Sequence, residues 1–434
     1  MLHVAIVGAG PAGFYTAEAL VKRLGAAVTV DIIDALPTPY GLIRAGVAPD
    51  HQSIKAVDRR YHAVLAGGVR FVGDVTVGDG GVGLADLLRL YDAVVLATGA
   101  PHDRRLGVPG DDLPGVLGSG SFVGWYNGHP DFADIEMPLR LAGVAVIGNG
   151  NVAIDVARIL AKTPEELAHA DLAAHARTAL VSSAVRDIHI VGRRGPYQAS
   201  FTPKEMGELG GLARARPVVD PADLRDPSGD AALDTGLRKV VTHLRAFAAA
   251  PPRVAPVTIT FDFFTRPVQI DRHGDALRLT VERTRLDGDK AVGTGETRTI
   301  DCGLIVGCIG YQSAAITGAS FDDSRGRFTN DAGRIGDRLY VTGWARRGPS
   351  GTIGTNKPDG AQVAERIVDE VVAEGRAGGA GLDALLATRG LRPVTFMGWQ
   401  AIDAAEIARA SPPAPREKLV DRDRMRAVAH GSTV

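Results

Sequence analysis

The chain has 434 residues, 45% of them hydrophobic and 23% charged, which is the mix of a soluble globular protein with material for more than one core. Lys and Arg number 49 against 50 Asp and Glu, so the net charge is −1 and composition gives nucleic-acid binding no support. Two cysteines, Cys302 and Cys308, are too few for a disulfide framework or a four-ligand zinc site, and no apolar run reaches the roughly 18 residues of a membrane span.

In chain order, Val4-Ala5-Ile6-Val7 reads as a buried strand starting almost at Met1. That start leaves no room for a secretory leader, and the expected location is cytoplasmic. The strand ends in Gly8-Ala9-Gly10-Pro11-Ala12-Gly13; helical spacing follows from Phe14 to Leu24, then a β-branched strand from Val28 to Ile33. Asp92 to Gly99 is a further buried strand, followed by a loop rich in Gly, Pro and Asp over 101–120. A second strand–turn–helix unit opens at Val144-Ala145-Val146-Ile147 and turns through Gly148-Asn149-Gly150-Asn151-Val152-Ala153. Its helix runs to Leu160, an inserted Ala- and Leu-rich helix is expected over 164–181, and a strand at Ile188 to Val191.

Residues 255–300 alternate apolar and polar, as antiparallel strands covering one side of a domain do. Strands follow at 304–310 and 339–343, and a helix over 361–374. Residues 375–382 read as a flexible linker to a helical tail broken by Pro412-Pro413-Ala414-Pro415. The expected fold class is α/β, with two Rossmann-like dinucleotide-binding domains on parallel sheets in a glutathione-reductase-like arrangement. The first domain is expected from residues 1–104 and 320–434, the second from 105–319.

Each glycine of the first turn has its own task. Gly8 permits the tight exit from the strand, Gly10 lets a pyrophosphate approach the backbone, and Gly13 lets the helix pack on the sheet. Asp34, 24 residues after Gly10, stands where an acid accepts ribose hydroxyls; Asp31, inside the strand, is the alternative. The second turn carries Ala153 for the third glycine, and its second strand closes on Arg193-Arg194 instead of an acid. Paired guanidiniums bind the 2′-phosphate that an acid would repel, so this site reads as NADP(H). Two nucleotide sites invite a relay from nicotinamide to flavin. Cys302 and Cys308 bracket a buried strand and lack the spacing of a flavin-coupled dithiol, so the electron acceptor is not expected to be an internal disulfide.

Several runs in fixed order resemble the adrenodoxin-reductase type of ferredoxin–NADP⁺ reductase. They are Pro37-Thr38-Pro39-Tyr40-Gly41-Leu42-Ile43-Arg44, Gly46-Val47-Ala48-Pro49-Asp50-His51, Gly148 to Arg158, Gly192 to Pro196, Phe201 to Glu205, Gly343 to Pro349 and Gly351 to Lys357. The resemblance is collinear from Met1 to about residue 370. It implies FAD in the first domain, NADPH in the second and a ferredoxin, an acidic iron–sulfur protein, as electron partner.

For the flavin it implies Gly13, Asp34 (the family commonly has Glu), Leu42, the backbone near Val77, Trp344 and Gly351-Thr352-Ile353. For NADP(H) it implies Asn149, Gly150, Asn151, Val152, Arg193, Arg194 and Glu205, with Gly351 meeting the nicotinamide. His51, in a loop the family sets near the flavin, and Glu208, one helical turn beyond Glu205, are expected to orient the nicotinamide and relay a proton. Arg238, Lys239 and Arg245 on one helix would offer a ferredoxin a basic patch. Two other readings stay open: an NADPH-oxidising flavin subunit of a glutamate-synthase type of enzyme, and a nucleotide-sensing module without catalysis.

Overall fold

In β1 (Leu2–Val7) the residues Val4, Ala5 and Ile6 are fully shielded from solvent. The strand is apolar without alternation because both of its faces are covered. α1 (Pro11–Leu24) begins with proline at its first position, where the missing N–H costs nothing, and ends on Lys22 and Arg23 at the negative end of its dipole. β2 (Val28–Ile33), β3 (Arg70–Val72) and β4 (Ala93–Leu96) complete the first half of this unit. β1 pairs in parallel with both β2 and β4, and β2 in parallel with β3.

The next stretch builds a second sheet from β5 (Val116–Gly118), β6 (Gly143–Ile147), α2 (Asn151–Ala161), α3 (Ala174–Val181), β7 (Asp187–Gly192), α4 (Pro203–Gly210), β8 (Ala215–Val219), α5 (Thr235–Ala249) and β9 (Val257–Phe263). Three long antiparallel strands follow, β10 (Thr265–His273), β11 (Ala276–Asp287) and β12 (Lys290–Cys302), before β13 (Leu304–Gly307) returns to the sheet. The sheet runs β5-β13-β6-β7-β9-β8, parallel throughout.

Two expectations change here. Residues 164–181 hold a helix only over Ala174–Val181. Ahead of it Thr163 and Glu166 cap each other reciprocally, which closes a separate turn. Of the alternating stretch 255–300, Val257–Phe263 belongs to the parallel sheet, and only the remainder is antiparallel.

The chain then returns to the first sheet with β14 (Arg334–Gly336), β15 (Leu339–Val341) and α6 (Asn356–Glu370), giving the order β14-β15-β4-β1-β2-β3. In each sheet the order reverses beside the first strand, between β1 and β4 and between β6 and β13. These are the switch points where open α/β sheets bind ligands. Three helices close the chain: α7 (Gly378–Thr388), α8 (Phe396–Ala408) and α9 (Arg422–Ala429).

The expected linker 375–382 is largely the first turn of α7. Its glycines serve approach, because a Cβ on Gly378 would lie 2.5 Å from His3, and one on Gly379 2.8 Å from Arg70. The structure describes residues 1–251 and 254–432 of this computed structural model.

The chain divides into one unit of Met1–His102, Asn127–Ala133 and Tyr311–Val434, and another of Asp103–Tyr126 and Asp134–Gly310. These seams differ from the expected 104/105 and 319/320. Asn127–Ala133 joins the first unit because Asn127 donates to Val47 O and Arg422 pairs with Asp131. No helix among the described residues is long and apolar enough to cross a membrane.

Asp31 sits on β2 with 5% of its surface exposed and is committed to structure. Arg70 grips it with two hydrogen bonds of 2.9 and 2.8 Å and reaches on to Asp383 of α7, while the Tyr91 hydroxyl donates to it at 2.5 Å. It is therefore no free acceptor for a ribose. Replacing Asp31→Ala leaves Arg70 and Tyr91 without their shared acceptor. Arg70 keeps Asp383, so the variant is expected to lose about 1–3 kcal/mol, read as a lower urea midpoint at unchanged slope.

Candidate functional site

In the first unit the chain leaves β1 through Gly8, at φ +114°, where a Cβ would lie 2.3 Å from the Ala97 carbonyl oxygen. A Cβ on Gly13 would lie 2.1 Å from Gly8 O, so α1 rests directly on the turn. A Cβ on Gly10 would meet nothing within 4 Å. The middle glycine thus faces open space at the N-terminus of α1, where free N–H groups and the helix dipole receive an anion.

Asp34 follows β2, half-buried. Its Oδ2 accepts the Ala9 N–H at 2.6 Å and its Oδ1 the Leu36 N–H at 2.9 Å, so the predicted ribose acid also locks the phosphate turn. Burial pushes its carboxyl above the ordinary 3.8, against the opposing pull of those two N–H groups and of the Arg422 charge.

Next, Tyr40 N–H donates to Ala9 O at 2.8 Å, and a Cβ on Gly41 would lie 2.9 Å from the Gly10 Cα. Leu42 follows with 48% of its surface exposed, a large apolar side chain left uncovered beside this turn. Val77 is half-buried and bridged to Val82. His51 is buried, and its carbonyl accepts from Ile54 and Lys55 at the start of a short helix.

After β15, Gly343 N–H donates to Asp359 at 2.6 Å, and the same carboxylate takes Arg346 and Arg347. Trp344 stacks on Tyr311 with ring centres 5.8 Å apart and planes at 15°, and its indole N–H donates to Ser350 O. Gly351, at φ +85°, would place a Cβ 2.4 Å from the Thr355 hydroxyl, which donates to Thr352 O. Gly351 and Thr352 are exposed, and Ile353 half-buried.

The hydroxyls of Thr98 and Thr342, just past the carboxyl ends of β4 and β15, are buried and have no partner among the described residues. Orphaned polar atoms at a switch point suit a bound polar group. Together with the open face at Gly10 and the uncovered Leu42, they fit FAD.

The second unit repeats the geometry with different chemistry. Gly148 would set a Cβ 2.3 Å from Cys308 O, and Gly150 faces open space before α2. Asn149 donates to Arg194 O at 3.2 Å, which Gly192 permits, since a Cβ there would overlap the Asn149 amide. Asn151 accepts the Thr202 N–H at 2.8 Å, and Val152 lies half-buried in the first turn of α2. Arg193 is exposed and Arg194 half-buried.

The backbone of this arginine pair is braced from behind. The Thr284 hydroxyl donates to Arg193 O at 2.8 Å, Phe264 N–H donates to Arg194 O at 3.3 Å, and Gly195 lies against the Phe264 ring. Asn149 Oδ1, Gln198 Oε1 and Glu205 Oε2 are buried without partners among the described residues, an acceptor set that fits the amide and hydroxyl donors of a dinucleotide. Glu208 on α4 lies 3.4 Å from the buried Arg158, which also holds Asp155. His51 belongs to the first unit and Glu208 to the second.

Tyr311, Asp359, Phe264 and Thr284 escaped sequence reasoning, since none stands in a glycine turn and each acts through a tertiary contact. Of the expected basic patch, Arg238 and Lys239 are exposed, but Arg245 is committed to Asp230, Tyr197 and Arg225 O.

The family described as pyridine nucleotide-disulphide oxidoreductase matches residues 2–194. The chain is 39% identical to the mitochondrial NADPH:adrenodoxin oxidoreductase of Arabidopsis thaliana, over 99% of this chain and 95% of that protein. It is also 39% identical to the NADPH-ferredoxin reductase FprA of Mycobacterium leprae, over 99% and 98%. The solved structure of Mycobacterium tuberculosis FprA in complex with NADPH superposes with a TM-score of 0.94 at 37% identity, over 99% of this chain and all of that one.

The chain belongs to the adrenodoxin-reductase family of ferredoxin–NADP⁺ reductases.

Cys302 and Cys308 are both free thiols of the second unit. Burial pushes the Cys302 thiol up to about 12 and the Cys308 thiol up as well, which favours the protonated form of both.

The raised Asp34 carboxyl has a definite sign. The fold takes up a proton there more readily than the unfolded chain does. That stabilisation is complete below pH 3.8 and lost as pH climbs through the folded value. Asp34→Asn should lack this dependence. Urea unfolding of parent and variant at stepped acidic pH is expected to show the parent losing ground to the variant as pH rises.

Proposed function

We infer that this chain is an FAD-dependent oxidoreductase that draws electrons from NADPH as hydride and hands them singly to a ferredoxin-type iron–sulfur protein. One contrast carries this reading. At the same topological position one unit has the acid Asp34 and the other the pair Arg193 and Arg194. An acid accepts ribose hydroxyls and repels a 2′-phosphate, whereas two guanidiniums bind it. The names of the relatives, reductases of adrenodoxin and of ferredoxin, support the acceptor. Alignment with them over nearly their whole length leaves the glutamate-synthase reading without a supporting observation.

Bound FAD supplies the exchange between two-electron and one-electron chemistry. The chain's part is to bind and to aim. Gly8, Gly10 and Gly13 with the start of α1 hold the flavin pyrophosphate, Asp34 the ribose, Leu42 and the Val77 backbone the adenosine side, and Trp344 with Gly351, Thr352 and Ile353 the ring system. Asn149, Gly150, Asn151 and Val152 hold the NADP pyrophosphate. Arg193 and Arg194 hold the 2′-phosphate from a loop kept rigid by Thr284 and Phe264, and Glu205 accepts a donor of the same ligand.

His51 and Glu208 orient the nicotinamide and carry a proton. The grip of buried Arg158 on Glu208 supports a fixed direction for that carboxylate. Arg238 and Lys239 offer an acidic partner an exposed cationic face. A cytoplasmic location belongs to the same reading, on the strength of two thiols left free.

The Arg193→Ala, Arg194→Ala double variant tests the assignment. Each charge-assisted bond lost is worth about 1.5–3 kcal/mol, so kcat/KM for NADPH should fall roughly 10–100-fold per arginine while that for NADH holds. In the parent, cytochrome c reduction by NADPH should require added ferredoxin. An equal loss with both nucleotides would count against the assignment. For the proton relay, His51→Ala should slow flavin reduction by NADPH in rapid mixing; an unchanged rate would remove His51 from the reaction.

A further inference from the structure

The segment after residue 390 has no part in either nucleotide motif, yet it reaches three pieces of the flavin site. The most deeply set contact is at Glu406 of α8, whose side chain is wholly shielded from solvent. Arg44 grips it with two hydrogen bonds of 2.9 and 2.5 Å, Arg416 lies 3.4 Å away, and Leu419 N–H donates to it at 2.9 Å. The Arg44 guanidinium also lies 5.2 Å over the Trp399 ring, and that ring packs edge-on against Tyr40 at 5.7 Å. Buried Lys418 donates to the Arg44 carbonyl at 3.3 Å. Both ends of the run Tyr40 to Arg44 are therefore held by the tail, with Leu42 between them.

That run needs a hold. Tyr40 has φ +82° and Gly41 φ +49°. A bulky side chain in the left-handed region costs about 1–3 kcal/mol, and it persists only where the surroundings over-determine it. Tyr40, with Gly41 beside it, is also what presses on Ala9 and Gly10 of the phosphate turn.

Two further contacts repeat the pattern on α9. Arg422 donates to Ala35 O at 2.9 Å, one residue past Asp34. Arg426 takes both oxygens of Asp74, three residues before Val77. Three side chains of the tail thus fasten the three loops that carry Leu42, Asp34 and Val77.

We propose that the C-terminal tail is a clamp on the flavin site, with Glu406 the positioning residue that sets the Leu42 turn and Arg422 and Arg426 holding the two neighbouring loops. The proposal rests on the flavin reading given above. The tail acts on affinity and residence of the flavin and makes no contact with the reacting atoms. Glu406→Gln keeps the shape but removes the charge that anchors Arg44, and Arg422→Met and Arg426→Met each release one loop from a half-exposed position.

The test uses full-length protein, stripped of flavin and reconstituted with FAD. Release of FAD on dilution is followed by its recovered fluorescence, beside NADP⁺ affinity and thermal unfolding of the apoprotein. Glu406→Gln is expected to release FAD at least tenfold faster with NADP⁺ affinity unchanged, and each arginine variant severalfold faster. Release within twofold of the parent in all three variants overturns the clamp, whatever happens to apoprotein unfolding. If Glu406→Gln does not fold, the two arginine variants decide on the same criterion. A parent protein that takes up no FAD overturns the flavin reading itself, an outcome separate from a failed clamp.

Discussion

A Cβ on Gly8 would come 2.3 Å from the Ala97 carbonyl, and a Cβ on Gly148 would come 2.3 Å from that of Cys308. In both units the first glycine of the turn lies against the carbonyl just beyond the strand on the other side of the switch point. That approach brings the turn down between two strands, aims the N-terminus of the following helix at the crevice, and leaves the middle glycine bare. Any side chain at either position would lift the turn off the sheet. The anion site would then lose its geometry before any ligand-contacting residue changed.

On that shared frame the units diverge by charge. Asp34 is drawn onto the backbone of its own glycine turn, where its two oxygens accept the Ala9 and Leu36 N–H groups and so shape the turn. Arg193 and Arg194 are free of such duty, because Thr284, Phe264 and Asn149 take up their carbonyls. Thr284 of β11 and Phe264, just ahead of β10, thereby do more than cover a sheet: they brace the backbone of the Arg193-Arg194 pair. Rigid support of this kind lets a guanidinium pair bind without first ordering its own backbone.

The tail continues the same logic in the first unit. Its buried carboxylate Glu406 meets burial, which raises it, and the charges of Arg44 and Arg416, which outweigh burial and hold it below the ordinary 4.5. The ionised form that Arg44 grips is thus the favoured one. A turn that holds Tyr40 in the left-handed region, anchored from a distant helix, is stable only as part of the whole.

The parallel-sheet fold, both glycine turns, Asp34, the arginine pair and the run from Pro37 to His51 were legible in the sequence. Each is a local pattern: a buried strand is apolar without a break, and a phosphate turn needs glycines at set intervals. Composition misled where glycine served contact, since residues 375–382 look flexible but Gly378 and Gly379 are the price of packing α7 against the sheet. It also misled on 164–181, where a reciprocal Thr163–Glu166 cap splits the helix.

Only the tertiary structure decided that Asp31 belongs to Arg70 and Tyr91, that Arg245 is committed to Asp230, that Tyr311 stacks on Trp344, and that Glu406 answers Arg44 from 362 residues away. Local sequence sets backbone conformation and the chemistry a site can offer. Which charges meet depends on how distant segments pack, and no spacing along the chain encodes that.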